Sequence, residues 1–264
     1  MAGAGAGMNY TRIVWKGLLF LTKRNSTSQW FLMLVLFQPL IFATIAFYMF
    51  KSGGRSGTLL YAALGAGMMG IWSATLFGSG GLIQWWRWEG TLELAVGAPP
   101  PFFFVLLPAA LSNSFIGAYS LAATLLWGRL AYGIPLHFEH PLGFAVALLA
   151  TVLSLGLMGL LLASSFVLYR HANALMNLLE YPVWVATGLI FPIALLPAWA
   201  QPISWPLAPR WGIDSIRATA LGGSGFWWEI GLTALLGVAY AVGAFLFLRL
   251  FERLARERAT LALT

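Results

Sequence analysis

The chain has 264 residues, 60% of them hydrophobic and only 9% charged, with a mean hydropathy of +0.81. The core of a water-soluble domain of this size cannot absorb so much apolar surface, whereas a bilayer can. A net charge of +7 would fit nucleic acid only if the basic residues shared one polar face. They lie instead between long apolar runs, as membrane orientation requires, and the lack of cysteine excludes disulfides, thiol catalysis and thiolate metal sites.

From the N-terminus, residues 1–7 are low-complexity Ala and Gly after Met1 and are set aside; no cleaved signal peptide is expected ahead of the first long apolar run. Residues 8–26 mix Ile13, Val14, Trp15, Leu18, Leu19 and Leu21 with Arg12, Lys16, Lys23 and Arg24, a pattern that predicts an amphipathic helix lying in the membrane interface. A span needs about 20 mostly apolar residues. Six runs qualify, at 29–50, 58–83, 103–128, 142–169, 174–196 and 227–250, and place both termini on one side. The segments on that side carry Arg12, Lys16, Lys23, Arg24, Arg87, Arg170, Arg249, Arg253, Arg256 and Arg258, against Lys51, Arg55, Arg129, Arg210 and Arg217 opposite, so both termini are expected in the cytoplasm. Trp30, Trp85, Trp86, Trp88, Trp199, Trp205, Trp211, Trp227 and Trp228 cluster at the expected span edges, where indole rings favour headgroup depth. The whole chain, 1–264, reads as one all-α membrane domain with no internal repeat and no soluble domain.

Within the spans, Gly65, Gly67, Gly70, Gly78, Gly80, Gly81, Gly156 and Gly159 provide small surfaces for close helix approach. There is no G-x-x-x-x-G-K-[ST] loop to cradle nucleotide phosphates, and no H-E-x-x-H or G-x-S-x-G pattern. The cluster His137, Glu139 and His140 falls in a short external loop beside Pro135 and Pro141 and reads as a solvated loop rather than a metal site. Nearly all eight acidic residues fall in loops or at span ends, which argues against a proton relay. Glu180, near the start of the fifth span, is the exception and either lines a pathway or pairs structurally; Glu229 reads as interfacial. Further pathway candidates are Met68, Met69, Trp72 and Phe77 in the second span and Asn113, Ser114, Phe115 and Tyr119 in the third, most of which read first as packing residues.

The cytoplasmic loop between spans two and three holds Arg87, Trp88, Glu89, Gly90, Thr91, Leu92, Glu93 and Leu94 and ends at Pro99, Pro100 and Pro101. A short helix over 86–98, stopped by proline, is expected, with Leu92, Leu94 and Val96 anchored to the bundle and Arg87, Glu89 and Glu93 facing water. Glu89, Gly90, Thr91, Leu92, Glu93 and the following proline resemble a stretch of type-2 ATP-binding-cassette exporter permeases, from which the chain departs in its aromatic Trp85, Trp86 and Trp88. In that family the stretch is the coupling helix, seated in a cleft of a separate ATPase, so the resemblance implies a contact role for Arg87, Glu89, Gly90, Thr91, Leu92 and Glu93.

A second match runs from Gly188 through Phe191, Pro192, Pro197 and Trp199 to Pro209, Asp214 and Arg217. It is similar to the family's signature at the end of the fifth span, which implies an external re-entrant hairpin, here over 197–222. Prolines 192, 197, 202, 206 and 209 would break a straight helix there, and Asp214 and Arg217, three apart, are placed to pair on one helix face.

Together the two matches imply a permease subunit without its own ATPase that works as a homodimer or heterodimer with two copies of a nucleotide-binding partner. ATP and Mg are bound by that partner and no cofactor by this chain. The implied setting is a bacterial-type inner membrane, and the implied cargo a hydrophobic or amphipathic small molecule such as a drug, antibiotic or lipid-like compound, with polysaccharide or lipid-linked glycan as the alternative. An intramembrane lipid-modifying enzyme and a passive channel are the readings from other classes. Neither finds the intramembrane acid, base, metal ligands or polar filter it would need.

Overall fold

A computed structural model describes residues 9–27, 29–52, 59–166 and 172–258. The low-complexity start, the expected first loop with Arg55 and the expected fourth loop with Arg170 lie outside the described residues. Ten α-helices follow one another and no strand occurs among the described residues: α1 Tyr10–Ser26, α2 Gln29–Ser52, α3 Leu59–Ser73, α4 Leu82–Trp88, α5 Leu92–Val96, α6 Phe102–Tyr132, α7 Pro141–Phe166, α8 Ala172–Ala186, α9 Ala208–Leu221 and α10 Phe226–Arg258. A π-helical segment, Ala74–Gly80, extends α3, and two 3-10 turns, Ile193–Leu195 and Gln201–Ser204, separate α8 from α9.

Four helical stretches are long and apolar enough to cross a membrane: Leu59–Gly80, Phe102–Tyr132, Pro141–Phe166 and Phe226–Arg253. The first is the most enclosed, because α3 presents a face of Ala62, Ala63, Ala66, Gly67 and Gly70 that admits its neighbours. A Cβ on Gly67 would stand 2.7 Å from Leu121 Cα, and Gly70 faces Ser120 and Pro39. Backbone is thereby brought within reach of hydroxyls, and Ser120 Oγ donates to Gly67 O at 2.8 Å while Thr124 Oγ1 reaches Ala63 O at 3.3 Å. With no hydrophobic force between helices in lipid, such small-residue contacts and interhelical hydrogen bonds are what hold helices together.

Helix α1 does not stand alone. Tyr10 stacks on Phe104, Gly17 meets Pro108, Thr22 Oγ1 donates to Ser112 Oγ and Asn25 Nδ2 to Asn113 Oδ1 at 3.1 Å, so its contacts advance along α6 in step with the chain. Asn9 caps its start, accepting from Arg12 N at 3.2 Å, and Lys23 and Arg24 complement the negative end of the helix dipole.

Two expectations need correction. The fifth apolar run, 174–196, is helical only as far as Ala186, a helix of 15 residues. There Gly188 takes φ +77°, with Leu189 N donating to Trp184 O and Gly188 N to Val185 O, a Schellman ending; Pro192 then prevents the helix from resuming. The irregular region consequently begins at 187, not at 197. It is held from both sides. Gln201 Nε2 donates to Leu196 O, and Tyr240 of α10 donates from its hydroxyl to Pro206 O while accepting from Ala208 N, which satisfies the start of α9. The loop before α7 meets the end of α9, with His140 N donating to Thr219 O at 3.0 Å.

Candidate functional site

The loop between the π-helical end of α3 and α6 turns on Gly90. The segment 86–98 is not one helix, as its sequence implies, but two short helices, α4 and α5, that meet at this residue. Glu89 N donates to Trp85 O, Gly90 N to Arg87 O and Thr91 N to Trp86 O, so α4 closes with Gly90 in the left-handed region at φ +69°. Nothing lies within 4 Å of where its Cβ would be, so the backbone conformation rather than space selects glycine. Thr91 then starts α5, its carbonyl accepting from Ala95 N at 3.1 Å.

The turn is anchored by one side chain. Leu92 is buried with Leu82, Ile83, Phe102 and Leu106 of the bundle, whereas Leu94, expected to anchor beside it, is 77% exposed. A five-residue helix has one inward position per turn, and two residues on from Leu92 the chain has rotated about 200° to the far face. Glu89, Gly90 and Glu93 are exposed, Arg87, Thr91 and Val96 half-buried. Trp85 and Trp88 are also exposed and pack edge to face at 5.3 Å, forming an aromatic ledge beside the acidic turn.

Behind the turn, Glu252 of α10 accepts from Phe102 N at 2.7 Å across 150 residues, and Phe251 lies against the Phe102 ring. A carboxylate at the first N–H groups of α6 satisfies an orphan donor and complements the helix dipole. The docking candidate, α6 and the end of α10 thus share one joint. Position Glu252 carried no motif, and only the fold brings it to Phe102.

A second polar cluster lies inside the bundle. Glu180 of α8 is 3% exposed; its Oε1 accepts from Ser73 Oγ at 2.7 Å and from Gln38 Nε2 at 3.4 Å. Of the other predicted pathway residues, Met68, Met69, Trp72, Asn113 and Ser114 are buried in packed helix contacts: Asn113 holds Asn25, and Ser114 Oγ pairs with Thr75 Oγ1 at 2.9 Å. Phe77 and Phe115 are half-buried, and Tyr119 is 45% exposed. The structure therefore brings Glu180 together with the α3 side of that set, and leaves Tyr119 on the outer surface of α6.

At the opposite end the expected Asp214–Arg217 pair does not form. Asp214 Oδ2 lies 3.8 Å from Arg210 Nε, one helical turn earlier. Arg217, 6% exposed, instead donates from Nη1 to Gly188 O at 2.6 Å and from Nη2 to Leu189 O at 2.8 Å, and stacks over the Tyr61 ring at 3.5 Å. The guanidinium fork fits two carbonyls left open where α8 stops, a stronger demand than a carboxylate one turn away. Burial pulls the Arg217 guanidinium down to about 10, with Tyr61 and Asp214 opposing, so it stays charged at neutral pH. Burial also pushes the Asp214 carboxyl up, offset by Arg210 and Arg217. Phe191, Pro192, Pro197 and Trp199 lie on the irregular stretch that this contact secures, and Trp199 is exposed.

What the fold and site define is an all-helical protein with four helices fit to cross a membrane, an exposed anchored turn at one end and a proline-rich, arginine-pinned segment at the other. No family model matches the chain, and no curated protein matches it.

Proposed function

We infer that the chain is the membrane-spanning subunit of an exporter driven by a separate ATPase. The observation that carries this reading is the turn at 88–93, where an acidic, exposed loop is fixed to the bundle through Leu92 and its end is bonded to α10 through Phe102 and Glu252. Such a turn is shaped to receive force from outside the membrane and pass it to two long helices at once. The absence of a phosphate-binding loop fits a motor on another chain, with ATP and Mg held there.

On this reading α2, with 24 residues and no charge before Lys51, is a further span, and α8 with the segment after it enters the membrane without crossing as one straight helix. Six spans, cytoplasmic termini, pairing of two permease copies with two ATPase copies and a hydrophobic or amphipathic cargo complete the assignment. The drug, antibiotic or lipid-like class is favoured over glycan, because the partly exposed residues near the bundle's polar cluster are aromatic or aliphatic.

Co-isolation tests it. Tagged chain produced with candidate ATP-binding subunits should retain one of them through purification and drive ATP-dependent uptake of cargo into inverted vesicles. Replacing Glu89 with Lys should weaken both retention and uptake with membrane insertion unchanged. Unaltered association and transport in that variant would sink the assignment.

A further inference from the structure

We propose that Glu180 is the recognition point for a lipophilic organic cation, whose positive charge settles on the Glu180 carboxylate within a shell of aromatic rings. A buried carboxylate inside a membrane bundle is costly unless something neutralises it. Among the described residues no cation pairs with Glu180; its partners are the neutral Ser73 hydroxyl and Gln38 amide, and both bonds fall on Oε1, leaving Oε2 for a further donor or charge. The Gln38 contact, at 3.4 Å, exceeds the usual N–H···O range of about 2.7–3.2 Å and is the weaker of the two. It yields to a charged ligand, while the 2.7 Å Ser73 bond keeps the carboxylate in place.

The three residues of this cluster each sit beside an irregularity in their own helix. Pro39 follows Gln38 inside α2, the π-helical segment begins immediately after Ser73, and Pro182 lies two residues beyond Glu180 inside α8. Prolines and π-helical turns loosen the i→i−4 ladder, and π segments recur at functional sites. Their convergence on one buried acid gives three helices a place to part around a ligand.

The surroundings suit a flat or greasy cation. Trp184, one turn beyond Glu180, is buried and packs edge to face with Phe42 and Tyr181, each at 5.0 Å. Its Nε1, like that of Trp72 beside Ser73, has no hydrogen-bond partner among the described residues. Tyr181 is 55% exposed and Gln38 half-buried, which sets the acid one side chain behind the surface. Aromatic faces around a carboxylate select cations over neutral or anionic molecules of the same shape.

The inference names the cargo class for the function proposed above and rests on that reading for transport, but binding is measurable on this chain alone. Full-length protein in nanodiscs is dialysed against radiolabelled tetraphenylphosphonium and, separately, against tetraphenylborate, an anion of nearly the same shape, with empty nanodiscs as the lipid background. Saturable binding of the cation above background is expected, weakened about tenfold or more in Glu180→Gln, with no matching loss for the anion. Gln38→Ala, which frees the carboxylate, should bind the cation at least as tightly as the parent. Absence of saturable cation binding by the parent, unchanged cation affinity in Glu180→Gln, equal losses for both ions, or a loss in Gln38→Ala would each overturn the proposal. If Glu180→Gln does not fold, the sign of the Gln38→Ala effect and the parent's cation preference decide. Failure to find an ATPase partner would remove the exporter reading and leave this binding result standing.

Discussion

At the scale of single residues, the two ends of the molecule turn on backbone groups rather than side-chain chemistry. Gly90 holds φ +69° in open space, so adding a Cβ meets no neighbour and the cost is conformational strain alone. Gly90→Ala should lower stability by about 1–2 kcal/mol, and Gly90→Asn by less, because asparagine tolerates the left-handed region. Thermal unfolding of the purified chain checks the order; equal losses for Ala and Asn would mean that strain is not the cause. Arg217 makes the opposite demand. Its removal leaves Gly188 O and Leu189 O buried without their donors, at about 1–3 kcal/mol for each such group. Arg217→Ala should therefore destabilise strongly, and Arg217→Lys should recover only part, since one ammonium cannot reproduce the planar fork. Full recovery by lysine would show that charge, not geometry, holds α8 to α9.

Among the elements, the joint between the docking turn and the bundle makes a prediction that no single helix makes. Glu252 reaches Phe102 N from the far end of the chain, so Glu252→Ala should cost about 1 kcal/mol, as other lost helix caps do. On the exporter reading it should leave a partner ATPase bound while reducing ATP-driven uptake, because the turn itself is untouched and only its tie to α10 is cut. Loss of ATPase binding in step with transport would instead make Glu252 a part of the docking surface. This joint also marks where sequence reading stops. The long helices were legible because an apolar run of span length has few alternatives in a chain this hydrophobic, and α6, α7 and α10 lie close to where hydropathy puts them. The end of α8 was misplaced although its signal, Gly188 followed by Pro192, was present; the apolar residues between and beyond them masked a backbone instruction. Arg217 and Glu180 could not have been paired from spacing. Periodicity offers only partners within a turn or so, whereas Arg217 binds carbonyls 28 and 29 residues away and Glu180 a hydroxyl 107 residues away.

For the whole molecule, the absence of cysteine makes the side of the membrane on which each face lies a direct measurement. Single cysteines introduced into the natural background report sidedness through a thiol reagent that does not cross the bilayer. Exposed positions are available at both ends: Glu93 on the turn after α4, and His137 and Glu139 in the loop before α7. On the exporter reading His137→Cys and Glu139→Cys should react in intact cells and Glu93→Cys should not, with the pattern reversed in inverted vesicles. In the structure these positions lie at opposite ends of the bundle. His140 N donates to Thr219 near the end of α9, and Gly143 faces Thr219 and Phe226, so the loop before α7, the end of α9 and the start of α10 belong to one end of the bundle. Glu93 sits at the other end, with Phe102 and Glu252. Labelling of Glu93 and His137 from the same side would be incompatible with α6, the one long helix between them in the chain, crossing the membrane. A reversed but still opposite pattern would retain the fold and place the docking turn outside, where no ATPase could reach it.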